Sequence, residues 1–189
     1  MNKLLRLIDC YPEIPYYIAS LVFLFNHSIS EGMMVFSRAF IFISSTLALG
    51  LFVKWVLKFK RPRSYTSMPL VSYDTPSLHT MVSVGSCLFA YILKPVYGLL
   101  LTPIAVLYMY SRVKLRYHSR SAVYSGLLLG LTLGWSSRIL FEIQVPVKLS
   151  YYFSIGFFCL PVFFIYLRGR YRVSDGIEGE VAAVAEESE

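Results

Sequence analysis

The chain has 189 residues, of which 56% are apolar and 15% are charged, and its mean hydropathy is +0.58. Soluble domains carry about 25% charged residues, and soluble monomers rarely expose large apolar patches. The composition therefore excludes an ordinary soluble domain and predicts an integral membrane protein. Because a spanning helix needs about 20 residues, the length fits six such helices in one compact domain.

The charges divide the chain into two parts. The formal net charge is +7, and six of the eleven acidic residues lie within 173–189. This acidic tail has no aromatic residue and is predicted to be disordered, whereas 1–172 is predicted to be a single cationic membrane domain. Cations between apolar segments suit a lipid bilayer or bound phosphate, and they do not form the basic face that nucleic acid needs. The cysteines, Cys10, Cys87 and Cys159, are too far apart to suggest disulfides or a zinc site.

The apolar runs, taken in chain order, predict an all-α, polytopic membrane bundle. Residues 1–12 have the pattern of a short interfacial helix at the amino terminus. The six transmembrane helices predicted after it are 14–29, 33–57, 78–93, 96–110, 122–143 and 149–167. Six spans put both termini and two long loops on one face, which holds all but four of the 18 Lys and Arg residues. The positive-inside rule predicts that this multi-pass protein has that face in the cytoplasm.

A first polar group lies at the end of the second predicted span. Lys54, Lys58 and Arg61 follow one another at intervals of four and three residues, so they share one side of the helix end. Pro62 disfavours helical geometry at Arg61 and ends the span there. Such a cluster is typical either of cations that snorkel at a helix terminus or of a phosphate-binding site.

A second polar group, Thr75-Pro76-Ser77-Leu78-His79, precedes the third predicted span. Thr75 is predicted to be the N-cap and Pro76 the first helical residue. The backbone N–H groups of Ser77 and Leu78 would then be available to an anion. His79 would lie in the first helical turn, within reach of the same anion.

A third group, Ser111-Arg112 followed after five residues by His118, lies in the other loop of the same face. The loops together supply cations, a serine hydroxyl and two histidines. Phosphoryl transfer needs this set as charge-stabilising donors, a nucleophile and an acid for the leaving oxygen. Asp74 is the only acidic residue in either loop, so no carboxylate cluster suited to Mg²⁺ is present. We therefore expect a mechanism without a metal ion or other cofactor.

In order, Lys54-x6-Arg61-Pro62, Pro76-Ser77-Leu78-His79 and Ser111-Arg112-x5-His118 resemble the three-part signature of the type 2 phosphatidic acid phosphatase family, which is related to vanadium-dependent haloperoxidases. The resemblance implies that His118 is a nucleophile that forms a phosphohistidine. It implies that His79 is the acid that protonates the leaving oxygen. The phosphate-binding groups that it implies are Lys54, Arg61, Ser77, Arg112 and the amide of Leu78.

The chain departs from that signature at two positions. Leu78 stands where the family usually has glycine, and its backbone N–H is still available. Ala122 stands four residues after His118, where the family usually has an aspartate that orients the nucleophile. Asp74 is a possible orienting group, as is a water held by Ser119 or Ser121. Two other interpretations of Ala122 are that the protein is weakly active, or that alanine was introduced to trap an inactive form.

The stretch 111–118 also resembles a dolichyl-diphosphatase-like branch, which tends to lack an acid at the position of Ala122. This resemblance implies a polyprenyl diphosphate substrate. Two alternatives are a lipid phosphotransferase and a catalytically weak or inactive lipid-phosphate binder. Outside the motifs, His27, Arg38 and Arg138 are interpreted as structural, the last with Glu142 as a partner one helical turn away. The sequence leaves the oligomeric state open.

Overall fold

The computed structural model describes residues 20, 22–23, 27–62 and 72–171, with side chains up to 167. The helices in this part of the chain are α1 (Ile29–Leu57), α2 (Leu78–Leu93), α3 (Pro95–Lys114), α4 (Arg120–Ser136), α5 (Arg138–Glu142) and α6 (Val147–Tyr171). The described residues form no strand, so the all-α prediction is confirmed for them. The predicted interfacial helix, most of the predicted span 14–29 and the tail 173–189 lie outside the described residues.

Helix α1 begins four residues before the predicted span because Ser28 caps it. The Ser28 hydroxyl accepts a hydrogen bond from the Glu31 amide at 3.3 Å, and the Glu31 carboxylate accepts one from the Ser28 amide at 3.0 Å. This reciprocal capping box satisfies two backbone donors that a helix start leaves without an intrahelical partner. Hydropathy alone could not locate this start, since it depends on polar side chains.

The predicted span 122–143 is divided at Ser137 into α4 and α5. The Ser137 hydroxyl donates to the Gly134 carbonyl at 2.6 Å, and its amide is 3.0 Å from the Leu133 carbonyl oxygen. The Leu140 amide then donates to the Ser137 carbonyl at 2.9 Å, a bond to the third residue back in place of the fourth-residue bond of a regular α-helix. The single apolar run in the sequence therefore corresponds to two helices.

In the part of the chain that the structure describes, three helices are long and apolar enough to cross a membrane: α1, α3 and the part of α6 from Val147 to Leu167. The 29 residues of α1 extend about 43 Å at 1.5 Å per residue, which exceeds the hydrocarbon thickness of about 30 Å. Helices α2 and α4 are shorter, with 16 and 17 residues. These apolar helices indicate a lipid bilayer environment, whereas six spans remain a prediction.

Helices α2 and α4 pack with their backbones close together. Three glycines of α4, Gly126, Gly130 and Gly134, recur every fourth residue and face α2. A Cβ atom at Gly126 would lie 2.7 Å from the Ser77 carbonyl oxygen, and one at Gly130 would lie 2.7 Å from the Met81 carbonyl oxygen. Only glycine allows so close an approach. This packing fixes the start of α2 against the first turns of α4.

The two halves of α1 have different neighbours. Its amino-terminal half packs on α6 through aromatic rings, with centroid distances of 5.2 Å for Phe36–Phe157 and 5.6 Å for Phe40–Phe153. Such pairs bury much apolar area and add a preferred ring geometry. The carboxyl-terminal half of α1 faces α2 at Gly50. The end of α1 that carries Lys54 therefore lies next to the start of α2, and Arg61 follows four residues after the last residue of α1.

Candidate active site

The spacing between Arg112 and His118 follows from the way α3 ends. Arg116 has a left-handed backbone with φ of 57°. Its amide donates to the Val113 carbonyl at 3.1 Å, and the Tyr117 amide donates to the Arg112 carbonyl at 3.1 Å. These two bonds form a Schellman motif, which turns the chain back over the helix end. The His118 amide also donates to the Arg112 carbonyl, at 3.2 Å, so the spacing places His118 beside the end of α3.

A buried carboxylate holds the His118 ring. The Nδ1 atom of His118 lies 2.7 Å from Oδ1 of Asp74, and the two residues are 2% and 3% exposed. The Ser119 hydroxyl donates to Oδ2 of Asp74 at 2.5 Å, and the Ser119 amide lies 3.3 Å from both carboxylate oxygens. Ser119 is also the N-cap of α4, so the carboxylate lies at the positive end of a helix dipole. Asp74, a possible orienting group in the sequence, is thus in contact with the ring.

Burial lowers the pKa of His118 because it disfavours the charged imidazolium. The hydrogen bond with Asp74 opposes this effect, but the positive charges of Arg61, Arg112 and Lys54 reinforce it, and the pKa falls to about 3. The three cations of the sequence motifs therefore act electrostatically on the same histidine. At neutral pH the ring is uncharged.

Burial acts on Asp74 in the opposite direction, because it raises the pKa of a carboxyl group. Hydrogen bonds from His118 and Ser119 together outweigh burial and hold the pKa of Asp74 below its usual value. An ionised carboxylate can only accept hydrogen bonds, so Nδ1 of His118 carries the proton. The Nε2 atom then has a lone pair, and it is buried without a hydrogen-bond partner in the described part of the chain.

Two of the predicted phosphate-binding cations contact the main chain that precedes α2. Lys54 is 0% exposed, and its Nζ atom donates to the Tyr73 carbonyl and, at 3.1 Å, to the Asp74 carbonyl. The Nε atom of Arg61 donates to the Tyr73 carbonyl at 3.0 Å. Both cations therefore bind the backbone of the segment that carries Asp74.

The third motif cation, Arg112, is 1% exposed and lies in the last turn of α3. Its guanidinium carbon lies 5.9 Å from the centroid of the Tyr117 ring, a distance at which a cation is attracted to the ring face. A cation buried so completely needs compensation for its lost hydration, and its side chain lies beside the loop that carries His118. This position is consistent with the predicted role of Arg112 in binding an anion.

The start of α2 differs from the prediction. Ser77 is the N-cap and Leu78 the first helical residue, so the predictions of Thr75 as N-cap and Pro76 as first helical residue are wrong. The reason is a contact remote in sequence: the Ser77 amide donates to the Ala122 carbonyl at 2.9 Å, which keeps Ser77 outside the helix. That amide is therefore not available to an anion, whereas the amide of Leu78 has no intrahelical acceptor.

The same contact places the first turn of α2, which carries His79, beside the first turn of α4. Ser77 is completely buried, and its hydroxyl accepts a hydrogen bond from the Thr80 hydroxyl at 3.1 Å. His79 is partly buried. Ala122 is completely buried, and its backbone joins the two helix starts.

The residues interpreted as structural lie at the other end of the bundle. His27 stacks on the Phe23 ring with a centroid distance of 4.0 Å. Arg138 lies 5.0 Å above the Trp135 ring, so its aromatic neighbour replaces the predicted partner Glu142. Arg38 likewise lies 5.3 Å from the centroid of an aromatic ring. Within the described ranges no group of three His, Cys, Asp or Glu side chains is arranged to hold a metal ion.

Two features that shape the site go beyond the sequence predictions, although the sequence holds a signal for each. Ser119 is predicted only to hold a water, yet a serine just before an apolar helix is a typical N-cap. The glycines of α4 are absent from the predicted site, yet Gly126, Gly130 and Gly134 recur with the four-residue spacing typical of close helix packing.

Comparison of the chain with protein-family models, with curated proteins and with solved structures gives no match. The resemblance to a phosphatase family therefore depends on the three motifs, and the inference of function depends on the geometry around His118.

Proposed function

We propose that the protein is a membrane lipid phosphatase that resembles the type 2 phosphatidic acid phosphatases. It removes the terminal phosphate of a lipid phosphate or diphosphate through a phosphohistidine on His118, without a metal ion. One observation carries this proposal: Nδ1 of the buried His118 is bound to Asp74, while Nε2 has no partner among the described residues. A neutral imidazole with a free lone pair, held by a carboxylate, is the arrangement of an activated nucleophile.

In the first step Nε2 of His118 attacks the terminal phosphorus in line with the leaving oxygen. The N–P bond forms as the P–O bond to the lipid breaks, and the leaving oxygen takes a proton from His79. The phosphorylated ring then carries a positive charge, which the carboxylate of Asp74 stabilises. In the second step water gives a proton to His79 as its oxygen attacks phosphorus. The N–P bond breaks, and inorganic phosphate leaves.

The cations stabilise the charge on the oxygens of the transferred phosphoryl group. We assign this role first to Arg61 and Arg112, whose charges act on His118. The hydroxyl of Ser77 and the amide of Leu78 also bind these oxygens. Both groups lie at the start of α2, where the first amides of a helix attract anions.

For the surrounding protein we propose six transmembrane helices and a polyprenyl diphosphate substrate, the latter because of the resemblance of 111–118. The site then lies on the face that holds most of the basic residues, and the charge count predicts that this face is cytoplasmic. A reporter enzyme fused to the tail should be active in the cytoplasm. A tail reporter that is active only on the outer or lumenal side would contradict this orientation.

The decisive experiment measures phosphate release by the detergent-solubilised full chain from polyprenyl diphosphate and from phosphatidic acid, with EDTA present. We expect release, and a loss of about 10⁴-fold or more in His118→Ala, as for other nucleophilic histidine and serine sites. His27→Ala is the matched control, since His27 stacks on Phe23 at the opposite end of the bundle. A strict requirement for Mg²⁺, or unchanged turnover in His118→Ala, would overturn the proposal.

The same preparation separates the alternatives. Labelled phosphate that appears on a second lipid instead of in water would indicate a phosphotransferase. Binding of vanadate without turnover would indicate a non-catalytic binder. We expect no gain from Ala122→Asp, because Asp74 already contacts Nδ1 of His118 and Ala122 is completely buried. A strong gain in that variant would show that His118 lacks an effective carboxylate.

A further inference from the structure

We infer that Lys54 is a positioning residue, whose ammonium group fixes the main chain of Tyr73 and Asp74 so that the Asp74 carboxylate meets His118. The inference rests on the proposed function and assigns Lys54 a different task from the phosphate ligand that the motif implies.

The contacts of Lys54 are the first reason. The residue lies in the last turn of α1 and is 0% exposed. A lysine ammonium has three N–H donors, and here two of them point to the carbonyl oxygens of Tyr73 and Asp74. Because a buried ammonium needs hydrogen-bond partners, these carbonyls are what stabilises the cation in its place. The ammonium group therefore fixes the main chain that precedes α2, and that main chain in turn stabilises the buried ammonium group.

The main chain around Asp74 is the second reason. The Asp74 amide donates to the Phe59 carbonyl at 2.7 Å, and Lys60 and Tyr73 form an antiparallel bridge. The residues that precede α2 are thus joined to the residues that follow α1. The side chain of Asp74 binds His118, which lies in the loop after α3, and Ser119, which is the N-cap of α4. Asp74 consequently links α1 to the nucleophile, and Lys54 holds the α1 side of that link.

The origin of the carboxylate is the third reason. A carboxylate at position 122 would be held by α4 itself, because residue 122 lies in the first turn of that helix. In this protein the carboxylate belongs to Asp74, which lies in an irregular segment and is 44 residues away from His118 in sequence. An irregular segment needs fixed points to hold a side chain to within a fraction of an ångström. The Lys54 ammonium supplies such a point directly at the carbonyl of Asp74.

A double-mutant cycle between Lys54→Met and Asp74→Asn tests the inference. Misplacement of a catalytic group by about 1 Å can lower a rate about 10²-fold, so we expect Lys54→Met to lower kcat by that order with little change in KM. In the Asp74→Asn background the same substitution should have almost no further effect, since the group that Lys54 positions is already lost. A phosphate ligand would instead raise KM and weaken inhibition by vanadate, and would keep its full effect in that background. That result would overturn the inference.

A second measurement does not depend on turnover. Nuclear magnetic resonance of ¹⁵N-histidine-labelled protein reports which ring nitrogen of His118 carries the proton. We expect Lys54→Met to change the His118 signals in the same way as Asp74→Asn does, and unchanged signals in Lys54→Met would overturn the inference. If the wild type releases no phosphate, the proposed function fails, and this measurement still decides the role of Lys54.

Two further variants complete the design. Lys58→Met is the matched control, because Lys58 is exposed at the same helix end, and it should leave the His118 signals unchanged. Lys54→Gln removes the charge and keeps hydrogen-bond donors, so it should retain more of the wild-type signal than Lys54→Met. Lys54→Gln also provides the test of the inference if Lys54→Met does not fold. If the His118 signals of Lys54→Gln equal those of Asp74→Asn, hydrogen-bond donation from the side chain at position 54 to the backbone has no positioning role.

Discussion

The two ends of the helical bundle contain the same kinds of charged residue and differ in how they accommodate them. At the end with the proposed site, four titratable side chains are at most 3% exposed: Lys54, Asp74, Arg112 and His118. At the opposite end Lys94 and Arg138 are exposed and lie over the rings of Tyr97 and Trp135. Burial and the nature of the partner, more than residue type, therefore distinguish a proposed functional cation from a structural one.

The physical reason is solvation. A cation over an aromatic ring at an exposed position keeps most of its water and gains about 0.5–1 kcal/mol. A completely buried charge loses its water and must find partners in the protein, and breaking a buried pair costs about 3–5 kcal/mol. Two contacts join buried groups at the site end: Lys54 donates to the Asp74 carbonyl at 3.1 Å, and the Asp74 carboxylate binds Nδ1 of His118. Substitutions at the two ends should consequently have very different effects.

The largest expected difference is in Asp74→Asn. An amide in place of the carboxylate can donate to Nδ1 and favour the wrong tautomer of His118, and the analogous change in a serine protease lowers kcat by about 10⁴-fold. The rate of phosphate release at a saturating concentration of lipid substrate measures this kcat. Glu31→Gln is the control, because Glu31 caps α1 at the opposite end, and it should leave kcat unchanged. Wild-type activity in Asp74→Asn would mean that the contact with His118 has no role in catalysis.

The pH dependence of stability should distinguish His118 from an exposed histidine. Its pKa is about 3 in the folded protein and 6.5 ordinarily, so between these values the unfolded chain binds a proton that the folded chain does not. The free energy of unfolding therefore falls as the pH is lowered from 6.5 towards 3, and the contribution of His118 is fully present above 6.5.

Thermal unfolding in detergent measures this effect between pH 7 and about 5, above the ordinary carboxylate pKa values of about 4. We expect Tm to fall with pH in the wild type, and to fall less in His118→Gln. Parallel curves for the two proteins would show that the pKa of His118 in the folded protein is close to its ordinary value and is not lowered by burial.

The glycines of α4 allow a comparison within one helix. Gly126→Ala and Gly134→Ala should each cost about 1–3 kcal/mol of stability, as overpacking usually does, because a Cβ would lie 2.7 Å from the Ser77 carbonyl and 2.8 Å from the Leu88 Cβ, respectively. Only Gly126→Ala displaces the start of α2, so only it should also lower kcat. Equal loss of kcat in both variants would contradict local placement of the site by Gly126. Leu128→Ala, at an exposed position of α4, serves as the control.

The smallest effect is expected at the opposite end. Lys94→Ala removes an exposed cation over the Tyr97 ring and should change the free energy of unfolding by about 0.5–1 kcal/mol. Phosphate release should stay at the wild-type level. A tenfold loss of kcat in this variant would show that the opposite end takes part in turnover, and the contrast between the two ends would no longer hold.

Local patterns in the sequence are sufficient for several features of the site. The motif spacing singles out His118, Arg112 and Lys54, and the scarcity of acids in the loops draws attention to Asp74. Local patterns fail at the start of α2, where the Ser77 amide binds the Ala122 carbonyl, 45 residues further along the chain. They also fail for the contacts of Lys54, whose acceptors are backbone carbonyls and therefore have no side-chain signature.

The sequence by itself determined the apolar, helical character of the protein, since hydropathy and helical spacing are properties of neighbouring residues. The apolar run 78–93 coincides with α2 (Leu78–Leu93), although the cap and first helical residue predicted at Thr75 and Pro76 are wrong. The tertiary structure alone decided which carboxylate contacts His118, which cations are buried, and how the α4 glycines bring two helix starts together. The physical reason is that burial and hydrogen bonding between loops depend on contacts such as Asp74–His118, whose two residues are 44 positions apart in the sequence and meet only when the chain between them folds.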